Sequence, residues 1–233
     1  AYFFCDPTIH VVRRAFVEYP KGKLMLRKAE PEGLEFLRSS DFNSRFINTA
    51  VGPDGCLYVT DMYRGIIQDA PWYNEGNREF ARKTGVNKHI QMGRIWRIRH
   101  YDHRPYQEKP QMLTESTEAL VRHLQNPIGW WRDTAQKLIL LRSDREKTIP
   151  LLKGLGRFTQ SPLPRSHALW TLDGMKALTP EIKREALADR SPELRRAMVQ
   201  IIESYLPQEI DLLLLLQKER DPRVAEQLIF TLG

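Results

Sequence analysis

The sequence lacks the features that mark several common classes of protein. Its 233 residues include only two cysteines, Cys5 and Cys56, too few for the disulfide framework of a small secreted domain. The longest apolar runs, residues 1–5 and 212–216, are far shorter than the ~18 residues of a membrane-spanning helix. No Cys-x-x-Cys-His occurs, so this stretch cannot carry a covalently attached haem c. The composition predicts a globular chain with buried free thiols and no transmembrane segment.

The usual signatures of catalysis, metal binding and nucleic-acid binding are also absent. The sequence contains no ordered Ser/His/Asp set, no phosphate-binding glycine loop and no zinc-ligand spacing. His100 and His103 lie close together, but no third ligand is near them, so no metal site is predicted. The net charge of +7 comes from dispersed Lys and Arg residues, which favours a solvated surface over a nucleic-acid partner.

Both ends of the chain have sequences typical of the middle of a strand or a helix. The chain starts without methionine at a strand-like Ala-Tyr-Phe-Phe, and residues 231–233 continue a helical pattern. We therefore expect a piece of a longer protein, with the signal region outside this sequence.

The first hundred residues contain short runs rich in Val, Ile, Phe, Tyr and Trp, separated by Gly, Pro, Asp and Asn. This pattern predicts strands at residues 2–5, 9–17, 24–27, 46–51, 57–60 and 94–99. Pro53-Asp54-Gly55 has the chemistry of a tight turn, because Pro fixes φ and Gly accepts a positive φ. Residues 46–60 are therefore predicted to form a hairpin.

The same order of strands occurs twice. Residues 2–6 and 57–61 are apolar strands that end in Asp, and residues 10–14 and 94–99 mix basic with apolar side chains. Repeated antiparallel units are typical of a β-propeller. We predict that residues 1–103 form the last blade of a propeller and part of the preceding one, with open edge strands.

The second copy differs from the first by an insertion, residues 62–93. This segment holds Trp72, Tyr73 and a predicted short helix at residues 77–83 that ends near Gly85. Because a loop of this length needs internal order or a purpose, we expect it to cap a blade or line a site.

Beyond a linker at residues 104–112 the apolar period becomes helical. A capping residue followed by Pro recurs at intervals of 35, 30 and 30 residues, at Asn126-Pro127, Ser161-Pro162, Ser191-Pro192 and Asp221-Pro222. Each pair precedes a helix predicted to place Arg outside and Ala, Leu or Ile inside. Helix pairs at this spacing stack into an α-solenoid of the HEAT type. The predicted fold class is thus multidomain β + α, a partial propeller followed by HEAT-like repeats at residues 113–233.

Several segments together resemble a known family. They are GPDGCLYVTDMYRG (52–65), GRIWRIRH (93–100), NPIGWWRDTAQKLILLR (126–142) and RSHALWTLDGM (165–175), and they resemble the membrane-bound-dehydrogenase-domain proteins of planctomycetes and their relatives. In that family a propeller similar to that of glucose/sorbosone dehydrogenases precedes HEAT repeats. The resemblance implies an extracytoplasmic protein, periplasmic or at the cell surface, of dehydrogenase ancestry. It also implies sugars or related alcohols as substrates and allows pyrroloquinoline quinone (PQQ) as cofactor.

Asp61 and Arg64 are the first candidates for cofactor or substrate binding. In a propeller, a carboxylate at a strand end and a guanidinium on the next turn can face a loop-lined pocket, where Arg binds anionic groups or sugar oxygens. The alternative is structural, with Asp61 capping the turn and pairing with Arg64. Asp6 ends the sister strand without a matching Arg, which favours the structural role for Asp61 and leaves Arg64 open. Arg45, just before the hairpin, is a further candidate for the same rim.

Three residues of the helical half also carry predictions. His167 lies on a helix among apolar residues and is predicted to make an interhelical hydrogen bond. Trp130 and Trp131 begin the first repeat, and one of them is predicted to anchor the repeats to the propeller.

The leading hypothesis for function is the distal part of an extracytoplasmic dehydrogenase-like propeller protein whose helical repeats dock a protein partner. The alternative is a non-catalytic scaffold that binds protein or carbohydrate, since propellers and solenoids chiefly present surfaces. No residue is assigned a catalytic role.

Overall fold

A computed structural model describes residues 1–20, 23–67, 70–72, 74–142, 144–205 and 210–233. The chain divides into two compact units, residues 1–20 with 24–107 (the β unit) and residues 108–233 (the helical unit). Two antiparallel sheets form most of the β unit, and α-helices form the helical unit. The chain is therefore a mixed β and α protein. Tyr73, which the sequence analysis places in the insertion, lies outside the described residues.

The strands of the β unit form two sheets. The first sheet contains β1 (Tyr2–Asp6), β2 (Val11–Glu18), β3 (Met25–Lys28) and β4 (Leu37–Arg38), and the second contains β5 (Phe46–Val51), β6 (Leu57–Asp61) and β7 (Arg94–Ile98). In the first sheet β2 lies between β1 and β3 and also pairs with β4; in the second sheet β6 lies between β5 and β7. All these pairs are antiparallel.

The predicted strands are confirmed, with ends that differ by one or two residues. The predicted hairpin is confirmed as well, since β5 pairs with β6 across a turn in which Gly55 has a φ of +78°. The sequence did not predict β4, because a two-residue strand is too short to show an alternating pattern.

Apolar side chains from both sheets meet in one core. Val12, Phe46 and Val59 are fully buried there, and Phe3 and Leu57 are among the residues packed around them. Because side chains alternate between the two faces of a strand, the burial of Val59 places Asp61, two residues further on, on the same inward face of β6. The packing of the sheets thus carries a carboxylate into the interior.

The described residues of the long connection between β6 and β7 contain regular structure. It contains α1 (Glu75–Thr84) and two 3₁₀ turns, Ala70–Trp72 and Val86–Lys88. The helix starts after Asn74, whose side chain accepts a hydrogen bond from the Asn77 N–H, and it ends at Gly85, where φ is +68°. The predicted helix and its end at Gly85 are therefore confirmed.

Eight helices lie among the described residues of the helical unit. They are α2 (Thr117–His123), α3 (Gly129–Arg142), α4 (Arg145–Phe158), α5 (Pro162–Gly174), α6 (Pro180–Leu187), α7 (Pro192–Glu203), α8 (Leu212–Lys218) and α9 (Pro222–Leu232). The helices that follow the recurring caps pack in succession, α3 against α5, α5 against α7 and α7 against α9. The helices that recur at regular intervals in the sequence therefore stack on one another in the structure.

Three of the four predicted helix starts are confirmed, because α5, α7 and α9 begin at the expected prolines. The fourth is wrong: α3 begins at Gly129, two residues after Pro127. The side chain of Asn126 accepts a hydrogen bond from the Ile128 N–H at 2.9 Å, and this local turn delays the helix.

The prediction that Arg lies outside the repeat helices is wrong for Arg165 and Arg195, whose side chains are only 19% exposed. Arg165 lies 2.5 Å from an Asp189 oxygen, and Arg195 binds both Glu219 oxygens at 2.7 and 2.8 Å. In each pair the carboxylate comes from the chain 24 residues later. A desolvated guanidinium is stabilised by such a partner, and the pattern of one helix cannot reveal it.

The interhelical role predicted for His167 is confirmed. Its Nδ1 lies 2.8 Å from the Gln136 side-chain oxygen on α3, and its Nε2 accepts a hydrogen bond from Arg132 at 3.2 Å. Burial lowers the pKa of His167, and the charge of Arg132 lowers it further, so the ring is neutral and can accept that bond.

Candidate functional site

The carboxylate of Asp61 joins several segments at the end of β6. Its side chain is 0% exposed. Oδ1 accepts hydrogen bonds from the backbone N–H groups of Arg45, at 2.7 Å, and Tyr63, at 2.9 Å. Oδ2 accepts from the Ser44 hydroxyl and an Arg94 Nη, both at 3.0 Å, and from the Trp96 indole N–H at 3.2 Å. The two oxygens therefore accept five hydrogen bonds.

This arrangement keeps Asp61 ionised. Burial by itself raises the pKa of Asp61, but the hydrogen bonds from Arg45, Trp96, Tyr63 and Arg94 outweigh it and hold the pKa below its ordinary value. A carboxylate with a lowered pKa and both oxygens occupied is a poor general base. Its geometry assigns it a structural role in shaping the site.

The guanidinium that pairs with Asp61 belongs to Arg94. This group also lies 3.7 Å from Asp41, 4.0 Å from the centre of the Tyr63 ring and 4.8 Å from the centre of the Trp96 ring. Two carboxylates and two aromatic faces hold it in place. The structural alternative is therefore right in one part and wrong in the other: Asp61 caps the turn through the Tyr63 N–H, but its cationic partner is Arg94 and not Arg64.

The pairing of Asp61 with Arg94 could have been predicted from the positions of the two residues in their strands. Asp61 ends β6 and Arg94 starts β7, and the two residues are direct partners in the antiparallel register. Once the two strands are assigned to one antiparallel pair, the last residue of one lies opposite the first residue of the other.

Arg45 is buried, at 5% exposure. Its guanidinium donates to the Gly65 carbonyl at 2.5 Å and the Ser44 carbonyl at 3.0 Å, and it contacts both ring nitrogens of His10. It thus ties the turn before β2 to the loop after β6. Arg45 is therefore an interior residue of the β unit. It does not line the cleft at Arg64, the site for which it was a candidate.

An open cleft of about 410 Å³ lies where β6 ends and β7 begins. Its apolar lining comes from Ile47, Met62, Ile90 and Ile95, and its polar lining from Thr60, Asp61, Arg64, His89, Gln91 and Arg94. The insertion between β6 and β7 contributes several of these residues, which agrees with the expectation that it lines a site.

Arg64 is the cation of this cleft that is left for a ligand. Its side chain is exposed, and across the described ranges it makes no hydrogen bond or ion pair. Arg94, by contrast, is held by Asp61 and the two rings. An exposed guanidinium beside isoleucine side chains can bind a carboxylate or a sugar oxygen whose attached carbon skeleton contacts the apolar wall.

His89 adds a second polar group. Its Nδ1 lies 3.0 Å from Oδ1 of Asn43. Because an amide oxygen can only accept, Nδ1 donates this bond, and in the neutral ring Nε2 is the acceptor nitrogen. The cleft therefore contains a donor fork on Arg64 and an acceptor nitrogen on His89, which is a suitable pair for a ligand with both acidic and hydroxyl groups.

The predicted turn at Pro53-Asp54-Gly55 serves the architecture of the β unit. Asp54 accepts hydrogen bonds from Arg97 at 2.7 Å and from the Tyr58 hydroxyl at 3.0 Å, and its carbonyl accepts from His103 at 3.1 Å. Burial raises the pKa of Asp54, but the hydrogen bonds from Cys56, Arg97 and Tyr58 lower it to about 2. His103 thus has a hydrogen-bonding role in the turn.

The described part of the chain has neither a metal cluster nor a membrane-spanning helix. No group of three or more His, Cys, Asp or Glu side chains there is arranged to hold a metal ion. No helix there is long and apolar enough to cross a membrane.

Comparison with known proteins gives one match. Residues 1–102 match a family described as a domain of unknown function, DUF7133. The matched region corresponds closely to the β unit and leaves the helical unit uncovered. No curated protein and no solved structure matches the chain.

Proposed function

We propose that this chain is the distal part of an extracytoplasmic, dehydrogenase-like propeller protein related to quinoprotein sugar or alcohol dehydrogenases. In this proposal the β unit supplies propeller blades, and the helical unit is a HEAT-like docking domain for a protein partner. Support for the blades comes from two antiparallel sheets that pack through a shared core of Val12, Phe46 and Val59. Support for the repeats comes from the stack of α3, α5, α7 and α9.

The observation that carries the proposal is the exposed Arg64 guanidinium in the cleft beside Asp61. The hydrogen-bonded pair of Asp61 and Arg94 fixes one wall of the cleft, while Arg64 remains exposed to a ligand. In this role Arg64 binds an anionic group and His89 accepts a hydrogen bond from a ligand hydroxyl.

The family resemblance allows PQQ as cofactor, and the residues of the cleft fit part of that molecule. Arg64 suits one of its carboxylates, and the side chains of Ile47, Met62 and Ile95 suit its planar ring. When bound, the quinone supplies the electron acceptor for oxidation of an alcohol. Arg64 would orient it, and the side chains of the apolar wall would exclude water from its face.

A non-catalytic scaffold is the second candidate function. It is favoured by the occupied state of Asp61, whose oxygens already accept five hydrogen bonds. In this case the cleft binds a sugar acid or a polar side chain of a partner, and no redox activity accompanies binding.

The experiment measures binding of PQQ, gluconate and glucose to the purified protein by calorimetry, together with sugar-dependent dye reduction. Arg64→Gln should weaken binding of PQQ or gluconate about tenfold or more, because it removes a charged hydrogen bond, while the melting temperature changes little. Arg99→Gln, at another exposed arginine of the β unit, is the matched control. Equal affinities for the wild type and Arg64→Gln would refute the role of Arg64, and gluconate binding without dye reduction would favour the scaffold.

A further inference from the structure

A groove of about 600 Å³ lies in the helical unit, lined by residues from α6 to α8 and the loops beside them. Its apolar floor is formed by Leu187, Ile210, Leu214 and Leu215. Leu214 is 44% exposed and its neighbour Leu213 is 61% exposed, so α8 presents leucine side chains to solvent beside the groove. A groove of this size accommodates several large side chains.

The acidic residues of the groove are all engaged within the helical unit. Asp189 accepts hydrogen bonds from Arg165 and from the Ser191 N–H, and Glu219 holds Arg195 through both oxygens. Asp211 caps α8 by accepting a hydrogen bond from the Leu214 N–H at 2.9 Å. Asp189 and Glu219 are thus paired with arginines, whereas Asp211 is exposed and bonds a backbone N–H.

The basic residues of the groove are available to a ligand. Lys218 and Arg220 are exposed and have no side-chain partner within the described ranges. Arg184 makes one long contact with Glu181, at 3.4 Å between two side chains that are more than half exposed, and such a pair contributes little. The rim of an apolar groove thus carries three cations that are free or weakly paired.

We propose that this groove binds an acidic peptide segment of a protein partner, with two or three large apolar side chains on the leucine floor and flanking Asp or Glu side chains on Arg184, Lys218 and Arg220. Charge complementarity selects this occupant, because the rim offers three cations while two of the groove's three acids are paired with arginines. The exposed leucines extend along α8, which favours a peptide over a small acid. The proposal deepens the docking role proposed for the helical repeats and does not depend on the cleft beside Asp61.

The test uses the full chain and fluorescence anisotropy with labelled peptides. The acidic probe has about 15 residues, with Leu at helical spacing and Glu between the leucines; a neutral probe replaces Glu by Gln, and a basic probe replaces it by Lys. We expect the acidic probe to bind about tenfold more tightly than the neutral probe at low salt and to lose this advantage as salt is added.

Two pairs of variants separate the groove from general charge. Lys218→Glu with Arg220→Glu should weaken the acidic probe about tenfold or more, whereas Arg122→Glu with Lys137→Glu, two exposed cations on α2 and α3, should leave its affinity unchanged. Leu214→Ser should weaken the acidic and neutral probes alike. Circular dichroism checks that each variant is folded.

The proposal is overturned if the acidic probe fails to bind, if the neutral or basic probe binds as tightly, or if Leu214→Ser has no effect. Tight binding of free glutamate in place of the peptide would also overturn it, in favour of a small-molecule site. Arg64→Gln should bind the acidic probe like the wild type, so failure at the cleft and failure at the groove can be told apart.

Discussion

Asp61 stabilises the β unit by linking residues that are distant in the sequence. Its donors come from the segment before β5, the turn after β6 and the strand β7. The paired charge and the hydrogen bonds offset the cost of burying the carboxylate, and removal of the charge would leave several donors unmatched. The same residue therefore fixes the wall of the cleft without binding a ligand itself.

We predict that Asp61→Asn lowers the local stability of the β unit by about 2–4 kcal/mol. The NH₂ group of the asparagine would replace either Oδ1, which accepts from two donors, or Oδ2, which accepts from three. In both orientations an N–H group would face other donors. Hydrogen exchange of residues 46–61 measured by mass spectrometry gives the stability. Asp102→Asn, at a carboxylate with 79% of its side chain exposed, is the control and should change stability by less than ~0.5 kcal/mol.

The pH dependence follows from the lowered pKa of Asp61. Because the folded-state pKa lies below the unfolded value of about 4, the stabilisation is present above that pH and is lost as the pH falls through the folded-state pKa. The wild type should lose protection of residues 46–61 between neutral pH and pH ~3, and Asp61→Asn should lose less over that interval. Parallel pH curves for the two proteins would contradict this role.

At the scale of elements, α3 shows how two adjacent tryptophans take different environments. Trp131 is 0% exposed and lies in the core of the helical unit with Leu120, Leu124 and Ala135. Its ring stacks on His123 with centroids 4.9 Å apart. Trp130 is only partly buried and meets the Trp131 ring edge-on. Trp131 therefore stabilises the helical unit itself, and anchoring to the propeller stays a prediction.

Trp131→Ala should lower the free energy of unfolding of the helical unit by about 3–5 kcal/mol, through the lost burial and the cavity left behind. Trp130→Ala should cost about 1–2 kcal/mol, because its side chain is less buried. Urea unfolding followed by far-UV circular dichroism measures both. Trp170→Ala, at a tryptophan 38% exposed on α5, is the matched control, and a loss as large as that of Trp131→Ala would count against the explanation by burial.

At the scale of the whole molecule, β1 is an edge strand of the first sheet. Among the described strands β1 forms a ladder only with β2. Its other side lies near β5, where the Thr49 hydroxyl donates a hydrogen bond to the Phe3 carbonyl at 3.4 Å, so this edge is only partly covered. Tyr2 is 64% exposed and Phe4 is 43% exposed, and both point away from the core that holds Phe3. An apolar edge strand of this kind is a template for pairing with another chain.

We predict that the chain self-associates at tens of micromolar through this edge. Tyr2→Lys with Phe4→Lys should shift it towards monomer in light-scattering chromatography, because lysine on an edge strand opposes pairing. Leu113→Lys with Leu141→Lys adds the same charge at two leucines about 80% exposed elsewhere and should leave association unchanged. If both double variants dissociate equally, the effect is one of net charge and not of the edge.

The sequence by itself determined the type and place of most elements. Alternating and aromatic runs located the strands, Pro53-Asp54-Gly55 located the hairpin, and the recurring caps located the starts of α5, α7 and α9. These features are local, because a strand, a turn or a cap depends on residues within a few positions of each other.

Only the tertiary structure decided which candidate side chains are buried and which are exposed to a ligand. In the folded protein Asp61 pairs with Arg94, Arg45 is buried and donates to the Gly65 carbonyl, and Arg64 is exposed in the cleft. Arg165 and Arg195 likewise point inward and bind carboxylates 24 residues away in the sequence. The physical reason is that a charge takes its partner from whatever segment the packing brings near, and sequence patterns of period two or 3.6 carry no information about contacts across tens of residues.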